Sequence, residues 1–142
     1  ARLYNLEREL DQALQEKIWL KSGGFLIIQQ TEAFVAIDVN TGKHSSKKDA
    51  EENYKQINRE AALEIARQLR LRNLSGMILV DFINMKNTND QSELLQYMGS
   101  LVRSDPMQTV VVDVTALGIM EITRKKSAKT LAEQLLQLKK GE

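Results

Sequence analysis

The chain reads as a single α/β domain in which helices flank a mixed β-sheet. Three observations predict this. The runs A-F-V-A-I-D-V-N (33–40) and M-I-L-V-D-F (77–82) are short, apolar and rich in Val, Ile and Phe, as strands are. Between them Tyr54, Ile57, Ala61, Ile65 and Leu69 recur at helical spacing and mark one face of a long helix. A strand, a helix of roughly 20 residues and a second strand form a βαβ unit, for which a parallel pair and a right-handed crossover are expected. The length of 142 residues suits one domain spanning 1–142 with a core of its own. No internal repeat, low-complexity tract or interdomain linker interrupts it.

Taken in order, Leu6, Leu10, Ala13, Leu14 and Ile18 predict an amphipathic helix over Leu3–Lys17, so that residues 1–17 lead into the domain. Glu7, Glu9, Asp11 and Glu16 make its outer face acidic. Ile18-Trp19-Leu20 reads as a short strand with Trp19 in the core, Ser22-Gly23-Gly24 as a tight turn, and Phe25–Gln30 as the returning strand. Thr31-Glu32 then turns into the strand that holds Asp38, which gives an antiparallel meander. No helix follows Gly23 and Gly24, so they read as turn residues rather than a phosphate cradle.

Past Gly42 runs a polar, basic connector, His44-Ser45-Ser46-Lys47-Lys48. Asp49 and Glu52 have capping-box spacing, and the long helix ends near Arg72-Asn73, before Gly76. The Met77–Phe82 run is apolar on both parities, which predicts a central strand covered on both faces. Asp90 and Glu93 suggest a cap for a helix carrying Leu94, Leu95, Met98, Leu101 and Val102, stopped by Asp105-Pro106. Thr109–Val114 reads as a third buried strand, and Gly118 opens an adjacent strand over Ile119–Thr123. Thr130–Lys139, with Leu131, Leu135, Leu136 and Leu138, is expected to be a last helix.

Composition narrows the chemistry. Hydrophobic residues make up 42% and charged residues 27%, ordinary globular values. There is no cysteine, hence no disulfide frame, thiolate zinc site or Cys nucleophile. No apolar run nears the ~18 residues of a membrane span and no secretory leader is visible, so a cytoplasmic location is expected. Because the chain opens on Ala1, it reads as a piece of something longer. A net charge of +1 means that a polyanionic partner must be met by local basic patches. Metal-free RNA cleavage through the 2′-hydroxyl commonly uses two histidines, whereas this chain has only His44, an expected loop residue. Carboxylate–metal chemistry is the better-equipped option.

The candidate site follows from strand periodicity. Side chains alternate, so Phe34, Ala36, Asp38 and Asn40 share one face, and two oxygen-bearing groups point the same way where the strand runs out. Asp81 repeats the design at the end of the second run. Open α/β sheets place functional groups at the carboxyl ends of strands, although an Asp there also caps turns and helices. Mg²⁺ takes one or two carboxylates and keeps several waters, so Asp38 and Asp81 suffice as its ligands. Asn40 either helps at that site or closes its own turn. Asn84 is the weaker, amide candidate. Thr41-Gly42-Lys43 resembles the end of a phosphate loop but lacks the upstream glycine. Lys43, Lys47 and Lys48, with Arg124, Lys125 and Lys126, are candidate phosphate contacts or plain solvated charge. Arg67, Arg70 and Arg72 are expected to lie over apolar surface or pair with acids.

Four stretches together resemble one known family: W-L-K-S-G-G-F-L-I-I-Q-Q-T-E-A, then A-I-D-V-N-T-G-K, then N-R-E-A-A-L-E-I-A-R-Q-L-R-L-R-N-L-S-G-M-I-L-V-D-F-I-N-M, then L-G-I-M-E-I-T-R-K-K. From about Asn5 to Lys126 the chain is similar to the catalytic core of the ribonuclease E/G family, in particular its deoxyribonuclease I-like subdomain. The resemblance implies a metal-dependent endoribonuclease for single-stranded RNA that leaves a 5′-phosphate and a 3′-hydroxyl and serves RNA processing and decay, rRNA and mRNA included. It implies that Asp38 and Asp81 hold a catalytic Mg²⁺, with Mn²⁺ as a substitute, and that Asn40 assists. The implied partners are single-stranded RNA and the other domains of a full-length chain, with homo-oligomerisation of that protein open. The family's zinc-link, which uses paired cysteines, is absent from this piece.

Two departures stand out. Asn84 occupies the second acidic position of the family's D-F-I-D-M, and Ala116 stands where a basic residue usually precedes the L-G-x-x-E glycine by two. They keep a non-catalytic, RNA-binding or scaffold relative in view as the alternative function. A phospho-accepting regulatory domain fits poorly, because the strand over Thr109–Val114 ends in Thr115 rather than a lysine.

Overall fold

A computed structural model describes residues 16–42 and 49–126. The expected helix over Thr130–Lys139, most of that over Leu3–Lys17, and the connector with His44, Lys47 and Lys48 lie outside the described residues. The described part is a single α/β domain, as expected. Its strands are β1 (Lys17–Trp19), β2 (Phe25–Gln30), β3 (Val35–Asn40), β4 (Gly76–Asp81), β5 (Thr109–Val114) and β6 (Met120–Arg124). Its helices are α1 (Ala50–Leu71) and α2 (Thr88–Arg103). Lys17, expected to end a helix, instead begins β1.

The strands form one six-stranded sheet in the order β1-β2-β3-β4-β6-β5. β1, β2 and β3 are the antiparallel meander, and β3 pairs with β4 in parallel across α1, as the βαβ pattern required. Beyond it, β6 inserts between β4 and β5, antiparallel to both. A glycine turn closes β1 onto β2: the Leu20 carbonyl accepts from Gly23 N–H at 3.1 Å, and Leu20 N–H donates to the Gly24 carbonyl at 2.8 Å.

The core is one-sided. Leu26 and Ile28, Val35, Ile37 and Val39, Ile78 and Val80, and Met120 and Ile122 all face it, one parity from each strand. Ile57, Ala61, Ile65 and Leu69 of α1, with Leu94, Met98 and Val102 of α2, cover that face. Among the described residues nothing covers the other. This corrects the reading of β4 as buried on both sides, because Met77 and Asp81 are exposed and Leu79 is only partly covered.

Other local expectations also change. β5 is an edge strand whose Val110, Val112 and Val114 are exposed, not a buried strand, because β6 takes the interior position. Trp19 is 63% exposed rather than core. Strand alternation explains it: Ile18 packs on the core, so Lys17 and Trp19 point to the open face. Asp49 sits at the N-cap of α1 without a capping hydrogen bond from its side chain, so no capping box forms. The cap of α2 is Asn87 rather than Asp90; its Oδ1 accepts from Asn89 N–H at 2.8 Å and from Asp90 N–H at 3.4 Å.

Candidate metal centre

β3 and β4 run parallel with Asp38 directly opposite Asp81 in the register. Neighbouring strands are ~4.8 Å apart, and residues opposite one another point to the same face. Both carboxylates therefore stand side by side on the open face, at the carboxyl ends of their strands. They line a shallow pocket of about 380 Å³ with Ile27, Gln29, Ala36 and Leu79. Burial, then the neighbouring Asp38 charge, pushes the Asp81 carboxyl above its ordinary value of 3.8. Two acids held together, with no basic group acting on Asp81 among the described residues, is an arrangement that a cation relieves.

Asn40 is one step further along the same face, and its Nδ2 donates to Asp38 Oδ2 at 3.2 Å. This fixes one oxygen of the carboxylate. The strand end is held in turn by the β1–β2 turn. A Cβ on Gly24 would lie 2.7 Å from the Asn40 carbonyl oxygen, and one on Gly42 (φ +75°) would run into the Gly23 carbonyl. Only glycine permits that approach of two backbones.

Asp81 has a support that sequence reasoning missed. Asn58, in the middle of α1, is fully buried. Its Nδ2 donates to the Ile83 carbonyl at 2.9 Å, and its Oδ1 accepts from Ile83 N–H at 3.0 Å. One amide thus satisfies both polar groups of a backbone unit two residues past Asp81. The available signal was an Asn on the apolar stripe of α1, one residue after Ile57.

Among the described residues no group of three or more His, Cys, Asp and Glu side chains gathers at one point. Two carboxylates with open space beside them still suit Mg²⁺, which accepts one or two protein carboxylates and keeps its waters, so the donor set fits. The other acidic pair of this face is separate. Asp113 stands opposite Glu121 across β5 and β6, and its close carboxylate, which favours a shared proton, raises the Glu121 carboxyl. Asn84 lies in the loop beyond β4 and lines a second pocket of about 260 Å³, with Phe82, Met85, Val114 and Leu117, which Asp81 also borders.

Among the described residues, the basic candidates are not gathered at the carboxylates. Lys43, Lys47 and Lys48 lie outside the described residues. β6 runs antiparallel to β4 with Arg124 opposite Gly76, which puts Lys125 and Lys126 at the far end of the sheet. Gly76 and Asp81 are the two ends of the six-residue β4, five residue steps or roughly 17 Å apart.

Arg124 corrects the reading of an exposed R-K-K cluster, since only 4% of it is accessible. Its Nε donates to Asp105 Oδ2 at 2.8 Å and its Nη2 to Asp105 Oδ1 at 3.2 Å. Its Nη1 reaches Asn73 Oδ1 and the Leu74 carbonyl, both at 3.0 Å. This guanidinium ties the α1–β4 and α2–β5 connections to β6 and is not available to a phosphate. Arg67, as expected, pairs with an acid, Glu64, at 3.0 Å.

The profile of the Ribonuclease E/G family matches residues 1–127. The chain is 41% identical over 133 residues to Ribonuclease G of Escherichia coli K12, covering 94% of the chain and 27% of that protein. It is 40% identical over 130 residues to Ribonuclease E of Nostoc sp. PCC 7120, covering 92% of the chain and 19% of that protein. It is also 41% identical to Ribonuclease G of Haemophilus influenzae, again over 94% of the chain and 27% of the relative. The chain thus spans about a quarter or less of the length of these relatives. With a profile match over most of its length and motifs that map onto the strand ends carrying Asp38 and Asp81, this chain belongs to the ribonuclease E/G family.

Proposed function

We propose that this chain is the metal-holding core of an endoribonuclease that cleaves single-stranded RNA and leaves 5′-phosphate and 3′-hydroxyl ends. The observation that carries the reading is the register pair Asp38–Asp81 on the open face. Family membership supports the same reaction class. Asp38 and Asp81 would hold Mg²⁺, with Mn²⁺ in its place when supplied. When bound, the ion supplies positive charge against the phosphate and lowers the pKa of water.

The rest is done by the protein's own groups. Asn40 holds the Asp38 carboxylate in one orientation through its 3.2 Å bond. Asn58 and the glycine turn fix the two strand ends, so the pair keeps its geometry before RNA arrives. Among the described residues nothing closes over the open face, which leaves it able to admit an extended strand. Lys43, Lys47, Lys48, Lys125 and Lys126 are proposed to contact the RNA backbone away from the reacting phosphate, Arg124 being excluded by its burial. The remainder of the full-length protein is proposed to supply further grip on RNA. The setting is cytoplasmic RNA processing and decay, and no described helix is long and apolar enough to cross a membrane.

The test is a Mg²⁺ or Mn²⁺ titration followed by NMR, with Asp38→Asn and Asp81→Asn alongside. Shifts centred on Asp38, Asn40 and Asp81 that vanish in both variants are expected. Saturating metal that leaves those residues unmoved, with and without a short single-stranded RNA, refutes the site.

A further inference from the structure

The open face carries a second feature next to the carboxylates. Reading the registers across the sheet, Lys17 is opposite Ile27, Ile27 opposite Asp38, and Asp38 opposite Asp81. One step along the strands, Trp19 is opposite Phe25 and Phe25 opposite Asn40. β1 runs in the same direction as β3, since each is antiparallel to β2, so Trp19 ends its strand at the sheet edge where Asn40 ends its own. Two strand spacings separate them, ~9.6 Å.

The cluster is both aromatic and basic. The Trp19 and Phe25 rings are 5.1 Å apart at 58°, and the Lys17 ammonium is 4.3 Å from the Trp19 centroid and 4.2 Å from that of Phe25. Phe25 and Lys17 hold the indole in place, yet it stays 63% exposed. A large ring fixed by its neighbours, open on its outer side and backed by a cation matches the elements with which proteins grip single strands: base stacking on aromatics and a positive charge for the backbone.

We propose that Trp19, with Lys17 beside it, is a stacking subsite for one unpaired base of an RNA strand whose phosphate lies at Asp38 and Asp81. The inference rests on the reading of the site as RNA-cleaving. The spacing is one that a nucleotide or two of extended strand covers. Stacking makes the subsite tolerant of base identity, because every base has a π-face. Lys17 is the cation that the carboxylate row otherwise lacks among the described residues on that side.

Trp19 is the only tryptophan in the sequence, so its fluorescence reports the subsite directly. Titrating the chain with oligo(A) and oligo(U) in EDTA is expected to give saturable quenching without metal. With a labelled oligonucleotide read by anisotropy, Trp19→Ala should weaken binding roughly tenfold to a hundredfold, the range for loss of one stacked base. Trp19→Phe, which keeps a ring, should recover most of that loss. Lys17→Met should lower the slope of log affinity against log salt by about 0.7, the value for one contact to a single strand. The quenching is read in EDTA and needs no ion, so a failed metal titration and a failed stacking test are separate results. Absence of saturable quenching, or equal affinity of Trp19→Ala and wild type, overturns the proposal and leaves the ring as a contact for another protein surface.

Discussion

Replacing Arg124 with alanine separates an interior clamp from a surface contact. The side chains of Arg124 and Asp105 are 3% and 2% exposed, and the guanidinium donates to both carboxylate oxygens, to Asn73 and to the Leu74 carbonyl. Removing one partner of such a pair strands the other charge in the interior, at a cost of about 3–5 kcal/mol. A domain of this size has roughly 5–15 kcal/mol of stability in all, so the loss is a large fraction of it. With a urea m-value of about 2 kcal/mol/M, the midpoint should fall by about 2 M. Urea denaturation of Arg124→Ala and Asp105→Ala, with the double substitution Arg124→Leu plus Asp105→Leu, is the assay. The double variant should recover much of what either single change loses, because no charge is left unpaired. A loss below ~0.5 kcal/mol for Arg124→Ala, together with weakened RNA binding, would falsify the clamp and restore the surface reading.

Three further outcomes are expected. Asn58→Ala should cost about 2–4 kcal/mol, because it takes the partner from both backbone polar groups of the partly buried Ile83, and it should also shift the amide resonances around Asp81. Chemical denaturation combined with an amide spectrum checks this, and a stable variant with an unchanged spectrum would contradict it. Acid should unfold the protein partly through Asp105. Burial pushes that carboxyl up, but bonds from Arg124, Met107 N–H and Thr109 outweigh it and bring the net value below the ordinary 3.8. A depressed carboxyl stabilises above its unfolded value and loses that stability as pH falls through the folded one, so the loss belongs below about pH 3.8 and should be absent from Asp105→Asn. Asp81→Asn should slightly raise stability at neutral pH without metal, by less than about 1 kcal/mol since solvent screens the exposed pair, and thermal melts with and without Mg²⁺ would show it.

Much of the fold was legible because it rests on local periodicity. Alternation along β3 placed Asp38 and Asn40 on one face, and the helical repeat of Ile57, Ala61, Ile65 and Leu69 named the buried side of α1. Where reading failed, a residue's own chemistry pointed one way and its neighbours another. The valines of β5 are as apolar as those of β3, but only strand order makes β5 an edge. The indole of Trp19 suggests burial, yet the parity of a three-residue strand turns it outward. Arg124 looks like its neighbours Lys125 and Lys126, while alternation along β6 sends it inward to an acid nineteen positions away. Asn58 carried almost no signal, since a polar residue on a helix stripe is explained only by the backbone it meets.

The sequence by itself determined which strands end in carboxylates, which faces of the helices are apolar, and which family the motifs resemble. These follow from spacing along one segment. Tertiary structure alone decided that Asp38 stands opposite Asp81, that Lys17 and Trp19 share their face, and that Arg124 is sealed from solvent. Each of those depends on register between distant segments, and register is set by how the one-sided core packs as a whole.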